Sequence, residues 1–534
     1  MKIIFIITIL FVFATKCNRN FVLYDISTNV KPEIIYEVKP IFAENRYNDL
    51  IDVNLHIADT NLQIEVKKII ISFKEESTLS SLSSVYVKNI INDKEHIIYD
   101  FFDTTASISK FVKISGSRII KNGDNKFIIG FTPQKFVNLI GTVEIEYISI
   151  VFDGNYEIKI DSGLPVIRFA KIVRRAGQDG VDTYRIPGII TTKKGTLIAV
   201  YDVRYKSSRD LQGDIDIGMS RSTDGGQTWE PMRIILDMNN WGGKPEEENG
   251  VGDPSILVDD ITGTIWVAAL WIHGFPGQIA WNASGQGIEP DVTGQLVMVK
   301  SEDDGLSWSE VMNITPQIKD PAWKLMFQGP GRGITLNDGT LVFPAQFRDS
   351  EGIPWSTIIY SKDHGITWNI GTGAKPNTTE AQCVQLTDGS IMLNMRDNRN
   401  ATIKDDSNGR AVAITRDLGK TWEIHPSSNN ALPEPVCMAS IISADLDIGG
   451  KTKKVLFFSN PANKYERKNI TIKASLDEGL TWPEAYQIEI YRPESFGYSC
   501  LTMVDKNTIG ILYEGKKDLY FQKILFKDIL KTKN

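Results

Sequence analysis

The side chains that could do chemistry in this chain are arginines, carboxylates and tyrosines rather than thiols or imidazoles. Arg185 sits in Tyr184-Arg185-Ile186-Pro187-Gly188, just before the apolar strand Leu197-Ile198-Ala199-Val200-Tyr201. Four aspartates follow it, Asp202, Asp210, Asp214 and Asp216, each a candidate proton donor. Tyr498 lies in Ser495-Phe496-Gly497-Tyr498-Ser499-Cys500-Leu501. A guanidinium meets a carboxylate through two parallel charge-assisted hydrogen bonds. A carboxyl group can donate and take back a proton, and a phenol beside a base can act as a nucleophile. Metal chemistry has little to build on. No CxxC or HExxH occurs, and the five histidines are scattered. Cys383, Cys437 and Cys500 are too sparse for a disulfide framework.

These groups need a scaffold, and a repeat supplies it. Ser-x-Asp-x-Gly-x-Thr-Trp appears as Ser222-Thr223-Asp224-Gly225-Gly226-Gln227-Thr228-Trp229. It returns at 301–308, 361–368 and 475–482, with Ser307 for Thr in the second copy, and more weakly at 415–422. Its aspartates are Asp224, Asp303, Asp363, Asp417 and Asp477, spaced by 79, 60, 54 and 60 residues. An apolar strand precedes each copy. The Asp accepts backbone N–H bonds in a turn, the Gly takes a conformation that a Cβ disfavours, and the Trp packs on the sheet. Each copy therefore closes a β-hairpin, and its aspartate belongs to the turn rather than to catalysis. Hairpins about 60 residues apart point to four-stranded blades around an axis, with about six blades in residues 166–534. All 11 tryptophans lie between Trp229 and Trp482. Residues 20–160 instead alternate with period two, as in Leu62-Gln63-Ile64-Glu65-Val66 and Val143-Glu144-Ile145-Glu146-Tyr147, which predicts a smaller β-sandwich-like domain. Asp161-Ser162-Gly163-Leu164-Pro165 reads as the linker. The fold class expected is all-β.

The 534 residues suit two domains, and the 42% hydrophobic content suits packed cores. Fifty-nine Lys and Arg against 66 Asp and Glu leave a net charge of −7. That balance argues against a nucleic-acid partner. It also means that an anionic ligand must be held by local arginines. The apolar run at residues 3–14 is too short to span a bilayer and suits a signal-peptide core, so residues 1–17 predict export. Cys17 resembles the acceptor of a bacterial lipoprotein signal, although Lys16 departs from that pattern. Secretion, a lipid anchor through Cys17 and an uncleaved membrane anchor stay open, and with them a periplasmic, cell-surface or secreted location.

Tyr184-Arg185-Ile186-Pro187 together with the five repeats resembles the bacterial sialidase family, whose signature is an aromatic-Arg-Ile-Pro motif followed by Asp boxes. The likeness extends over most of residues 166–534. It implies a six-bladed β-propeller and an exo-α-sialidase that removes terminal sialic acids from glycans. It also implies three arginines around the substrate carboxylate. Arg185 matches the first, Arg396 in Leu393-Asn394-Met395-Arg396 the second, and Arg467 in Arg467-Lys468-Asn469-Ile470-Thr471 the third. Tyr498 matches the nucleophile and Glu380 its base. A neutral phenol avoids the repulsion that a carboxylate would meet at an anomeric carbon already bearing one. Asp210, 25 residues after Arg185, matches the acid/base. Arg204, Asp253 and Gln346 resemble further residues that line the sugar pocket. The long loop at 273–290, with Trp281, is expected to cover it.

The same residues would serve hydrolysis, transfer to an acceptor, or intramolecular transfer to an anhydro sugar. A non-catalytic sialic-acid-binding adhesin would keep the arginines without needing Asp210, Glu380 and Tyr498. No metal or cofactor is expected.

Overall fold

The computed structural model describes residues 29–58, 64–92, 97–105, 107–161, 163–274 and 279–531. The predicted signal segment and Cys17, as well as Leu62 and Gln63, lie outside them.

The structure is nearly all β. Residues 30–161 form two packed antiparallel sheets. One orders its strands Val30–Tyr36, Asn48–Ile57, Gly123–Pro133, Leu82–Asn92 and Ile97–Thr105. The other orders Glu157–Asp161, Ile145–Phe152, Ile64–Phe73 and Phe111–Ile120. Alternate residues point inward, so Val112 and Ile114 are buried while Phe111 and Lys113 face water. The inward residues of both sheets meet in one apolar core.

Residues 167–525 build six further sheets in chain order. One inner strand from each is Thr183–Thr191, Val251–Val258, Leu341–Arg348, Thr378–Gln385, Ser440–Asp447 and Ser499–Asp505. These strands pack in cyclic order, and the last touches the first. The arrangement is that of a β-propeller. Inner strands are covered on both faces, which is why Ile265–Trp271 reads as an unbroken apolar run with every residue buried, and why Leu197–Arg204 is buried throughout even though it carries Asp202 and Arg204. The ring closes through Ile167–Arg174, which pairs antiparallel with the late strand Leu519–Leu525. Two short strands from the N-terminal part, Ile41–Phe42 and Thr142–Val143, then pair with the free edge of Ile167–Arg174. The linker thus leads straight into a sheet that both parts of the chain share.

Each repeat closes the hairpin after the third strand of its sheet. In the first, Asp224 Oδ1 accepts the Thr228 N–H (2.9 Å) and the Ser222 hydroxyl (2.8 Å), while Oδ2 accepts the Thr228 hydroxyl (2.6 Å). Asp303, Asp363, Asp417 and Asp477 do the same within their own turns. Gly226 has φ +88, which explains the glycine. The tryptophans reach across to neighbouring sheets: Trp229 packs edge-on against Phe521 and Trp368 against Trp266.

Candidate active site

The hairpins occupy one end of the ring, and a cavity of about 380 Å³ opens at the other. Its wall is built where first strands begin and second strands end. Three first strands carry the same device there. The register shifts between Arg185 and Gly188, between Gly252 and Ser255, and between Thr379 and Gln382. Ile186, Asp253 and Glu380 take positive φ values of 55°, 58° and 33°. Such backbone costs about 1–3 kcal/mol per residue and persists only where the surroundings fix it. Each bulge turns a polar side chain, Arg185, Asp253 or Glu380, toward the cavity.

Arg185, Arg396 and Arg467 all line this cavity, together with Asp210, Asp253, Gln346, Glu380 and Tyr498. Tyr498 and Glu380, 118 positions apart, are hydrogen-bonded, the phenol donating to Glu380 Oε1. Arg396 Nη1 donates to Glu380 Oε2 (2.6 Å) and lies 3.4 Å from the phenol oxygen. The guanidinium carbons of Arg185 and Arg467 stand 5.3 and 5.7 Å from the centre of the Tyr498 ring. Arg467 is held by the carbonyls of Phe496 and Val436. Asp210 Oδ1, also on the cavity wall, accepts from Arg185 Nη1 (3.1 Å) and Arg204 Nη1 (2.8 Å), with its side chain 73% exposed.

Burial, and after it the Glu380 charge, pushes the Tyr498 hydroxyl well above its ordinary range, so the phenol keeps its proton. Burial works upward on Glu380 too, but Arg396 and the Tyr498 hydrogen bond win and hold its carboxyl below the usual range. Asp210 is likewise held low, by Arg204 and then Arg185. Asp253 goes the other way. Burial, then the carboxylates of Asp202 and Asp210, raise it well above the ordinary value.

Arg204 corrects an expectation. It does not line the cavity. It is fully buried behind Asp210, with Nε and Nη2 on Asp202 (3.1 and 2.8 Å) and Nη1 on the Ser208 carbonyl. Asp214 and Asp216 lie off the cavity as well. Asp216 accepts the Tyr205 hydroxyl (2.9 Å) and is pushed up to about 7, chiefly by burial. Gln346 is on the wall, where its Oε1 accepts the N–H of Glu380 (3.2 Å). In the 273–290 loop, residues 275–278 lie outside the described residues. Ile279, Ala280 and Trp281 line the cavity beside Leu270, Leu325 and Phe327, which makes that side apolar.

Two groups escaped the sequence reading. Glu514, fully buried, accepts from Arg185 Nε (3.2 Å) and from the N–H groups of Ile186 and Tyr498 (2.9 Å each). It ties the first arginine to the tyrosine segment. A carboxylate ending the apolar run Ile509-Gly510-Ile511-Leu512-Tyr513 was the available signal. Arg410 is the second. Paired with buried Glu434 (2.8 Å), it donates to the Glu380 carbonyl (3.3 Å) and stiffens that strained residue from behind.

The site from Asp210 through Tyr498 runs inside a stretch that a known family shares, and Arg185 stands ten residues before it. The BNR repeat-like domain family matches residues 195–511. A sialidase of Bacteroides fragilis is 49% identical over 424 residues, covering 79% of this chain and 76% of that one. The chain belongs to the BNR-repeat sialidase family. It is a glycosidase of that family, and its architecture agrees: a Hadza microbial sialidase superposes with a TM-score of 0.84 at 40% identity, covering 93% of this chain and 99% of the other. An anhydrosialidase of Macrobdella decora is more distant, 25% identical over an alignment that covers 76% of this chain and 69% of its own.

Proposed function

We propose that this sialidase is a retaining exo-α-sialidase acting on terminal sialic acids of glycans, with its site at the axis of a six-bladed propeller. One observation carries the reading: the hydrogen-bonded Tyr498–Glu380 pair lines one cavity together with three arginines and Asp210.

The sugar carboxylate binds Arg185, Arg396 and Arg467. That contact also prepares the chemistry. In the empty site Arg185 holds Asp210 low and Arg396 holds Glu380 low. A substrate carboxylate shared among these guanidiniums offsets their charge, so both carboxyl groups move up. Asp210 then becomes able to carry the proton that it gives to the departing glycosidic oxygen. Glu380 becomes the stronger base that takes the phenolic proton as Tyr498 Oη attacks the anomeric carbon. The glycosidic bond breaks and a sialyl–tyrosine bond forms. Asp210, now ionised, takes a proton from water. That water displaces Tyr498, which recovers its proton from Glu380, and two displacements at one carbon retain its configuration. Asp253 and Gln346 face the sugar's polar groups, and the Trp281 side packs on its apolar parts. No step calls on a metal or cofactor.

NMR of the first product tests this reading. The α-anomer of free sialic acid is the expected species. Initial release of the β-anomer would overturn the retaining mechanism, and an anhydro sugar would establish intramolecular transfer, the reading that the Macrobdella relative favours. Export rests on residues 1–17 alone, and a lipid anchor through Cys17 is its variant.

A further inference from the structure

We propose that the rear mouth of the propeller axis, opposite the active site, binds a small monovalent anion on Arg332. A second cavity, of about 280 Å³, lies there. All six sheets contribute to its wall, through Thr191, Val258, Thr335, Gln385, Ser443 and Thr502. Thr191, Val258 and Gln385 are the last residues of their strands, whereas Arg185, Asp253 and Glu380 stand near the beginnings of the same strands. The two cavities therefore sit at opposite ends of the axis.

Arg332 lines this cavity half-buried. Buried Arg185, Arg204, Arg221 and Arg410 each form an ion pair with a carboxylate. Among the described residues Arg332 forms none. Its guanidinium has only long contacts: Nε with the Gly333 carbonyl (3.4 Å), and Nη1 with the Leu501 carbonyl (3.3 Å) and the Thr502 hydroxyl (3.5 Å). Half-burying a cation without a counter-charge carries part of the cost of burying one, and a cation facing a polar cavity recruits a counter-charge. Burial pulls the Arg332 guanidinium below its ordinary value, which is the signature of that missing partner.

The other charges define the ligand. Lys454 lines the cavity and favours an anion, its charge partly offset by Asp445 at 3.9 Å. Asp260 lines it too, near enough to be felt by Arg332 but outside ion-pair distance, and it disfavours accumulation of negative charge. One cation facing the cavity, one supporting cation and one opposing carboxylate suit a single-charge ion better than a phosphate dianion. Such an ion would touch residues from several sheets at once and so brace the ring.

The test uses bromide as the probe on the full-length protein. Anomalous diffraction from crystals in bromide should give a peak against Arg332 that Arg332→Met removes while peaks elsewhere remain. Thermal denaturation should show that millimolar bromide raises Tm in the parent and not in Arg332→Met. Asp260→Asn should lower the half-maximal bromide concentration several-fold, because it removes the opposing charge. The proposal is overturned if no peak appears at Arg332, or if parent and Arg332→Met respond alike. It is also overturned if the effect needs crystal concentrations, which would mean an adventitious ion only. If Arg332→Met does not fold, Asp260→Asn decides: an unchanged half-maximal concentration overturns the proposal. None of these residues touches the front cavity, so failure here leaves the sialidase reading intact.

Discussion

The two ends of the propeller solve the same problem differently. Both hold carboxylates that must be satisfied. At the hairpin end, Asp363 takes its hydrogen bonds from Ser361 and Thr367, at most four residues away. At the cavity end, Glu380 is bonded to Tyr498 and Arg396, 118 and 16 residues away, and Glu514 to Arg185 across 329. Local satisfaction can be copied five times and tolerates loss. Satisfaction from a distance needs the whole ring and concentrates function in groups that exist once.

The sharpest way to break that contrast is Tyr498→Phe. It should lower turnover of an aryl sialoside by about three orders of magnitude or more, as expected when a nucleophile is removed, with Tm nearly unchanged. Near-normal turnover would remove Tyr498 from its role. Glu514→Gln comes next. It leaves Arg185 with Asp210 as its one carboxylate partner, so chemical denaturation should show a loss of about 3 kcal/mol or less, with KM raised through a misplaced arginine. An unchanged KM would confine Glu514 to stability. Arg204→Gln should leave binding largely intact but move the alkaline limb of the kcat profile. Removing a positive charge raises the Asp210 pKa, so the acid form survives to higher pH, by about one unit. An unmoved or lowered limb would contradict the assignment of Asp210. The smallest effect belongs to the hairpin end: Asp363→Ala should cost about 1 kcal/mol by the precedent of lost caps, with kinetics unchanged. A large kinetic defect there would erase the contrast.

The same contrast decides what the sequence could reveal. The aspartates of the repeats were readable because donor and acceptor sit in one eight-residue window. The burial alternation of Phe111–Ile120 follows from period two for the same reason. Arg185, Arg396, Arg467, Tyr498, Glu380 and Asp210 were reached through resemblance, since nothing local in any of them points to the other five. Glu514 was missed because its partners lie in other strands. Arg204 was misplaced because a strand-end arginine reads alike whether it faces ligand or stands behind Asp210; only the carboxylate two residues earlier, Asp202, marks it as paired. Ile41–Phe42 is too short to carry any periodicity, so its pairing with Ile167–Arg174 was invisible.

That pairing has a mechanical consequence. The strand Ile167–Arg174 works as a zip fastener, and the N-terminal segments are the flap sewn over its outer side. A chain trimmed to begin near 165 would still fasten, yet it would leave a bare ribbon that invites a second molecule, so dimers on size exclusion are the expected sign. Because the fastened sheet also carries Tyr498 at the hub, heat that parts the seam should silence the enzyme before the remaining sheets come undone.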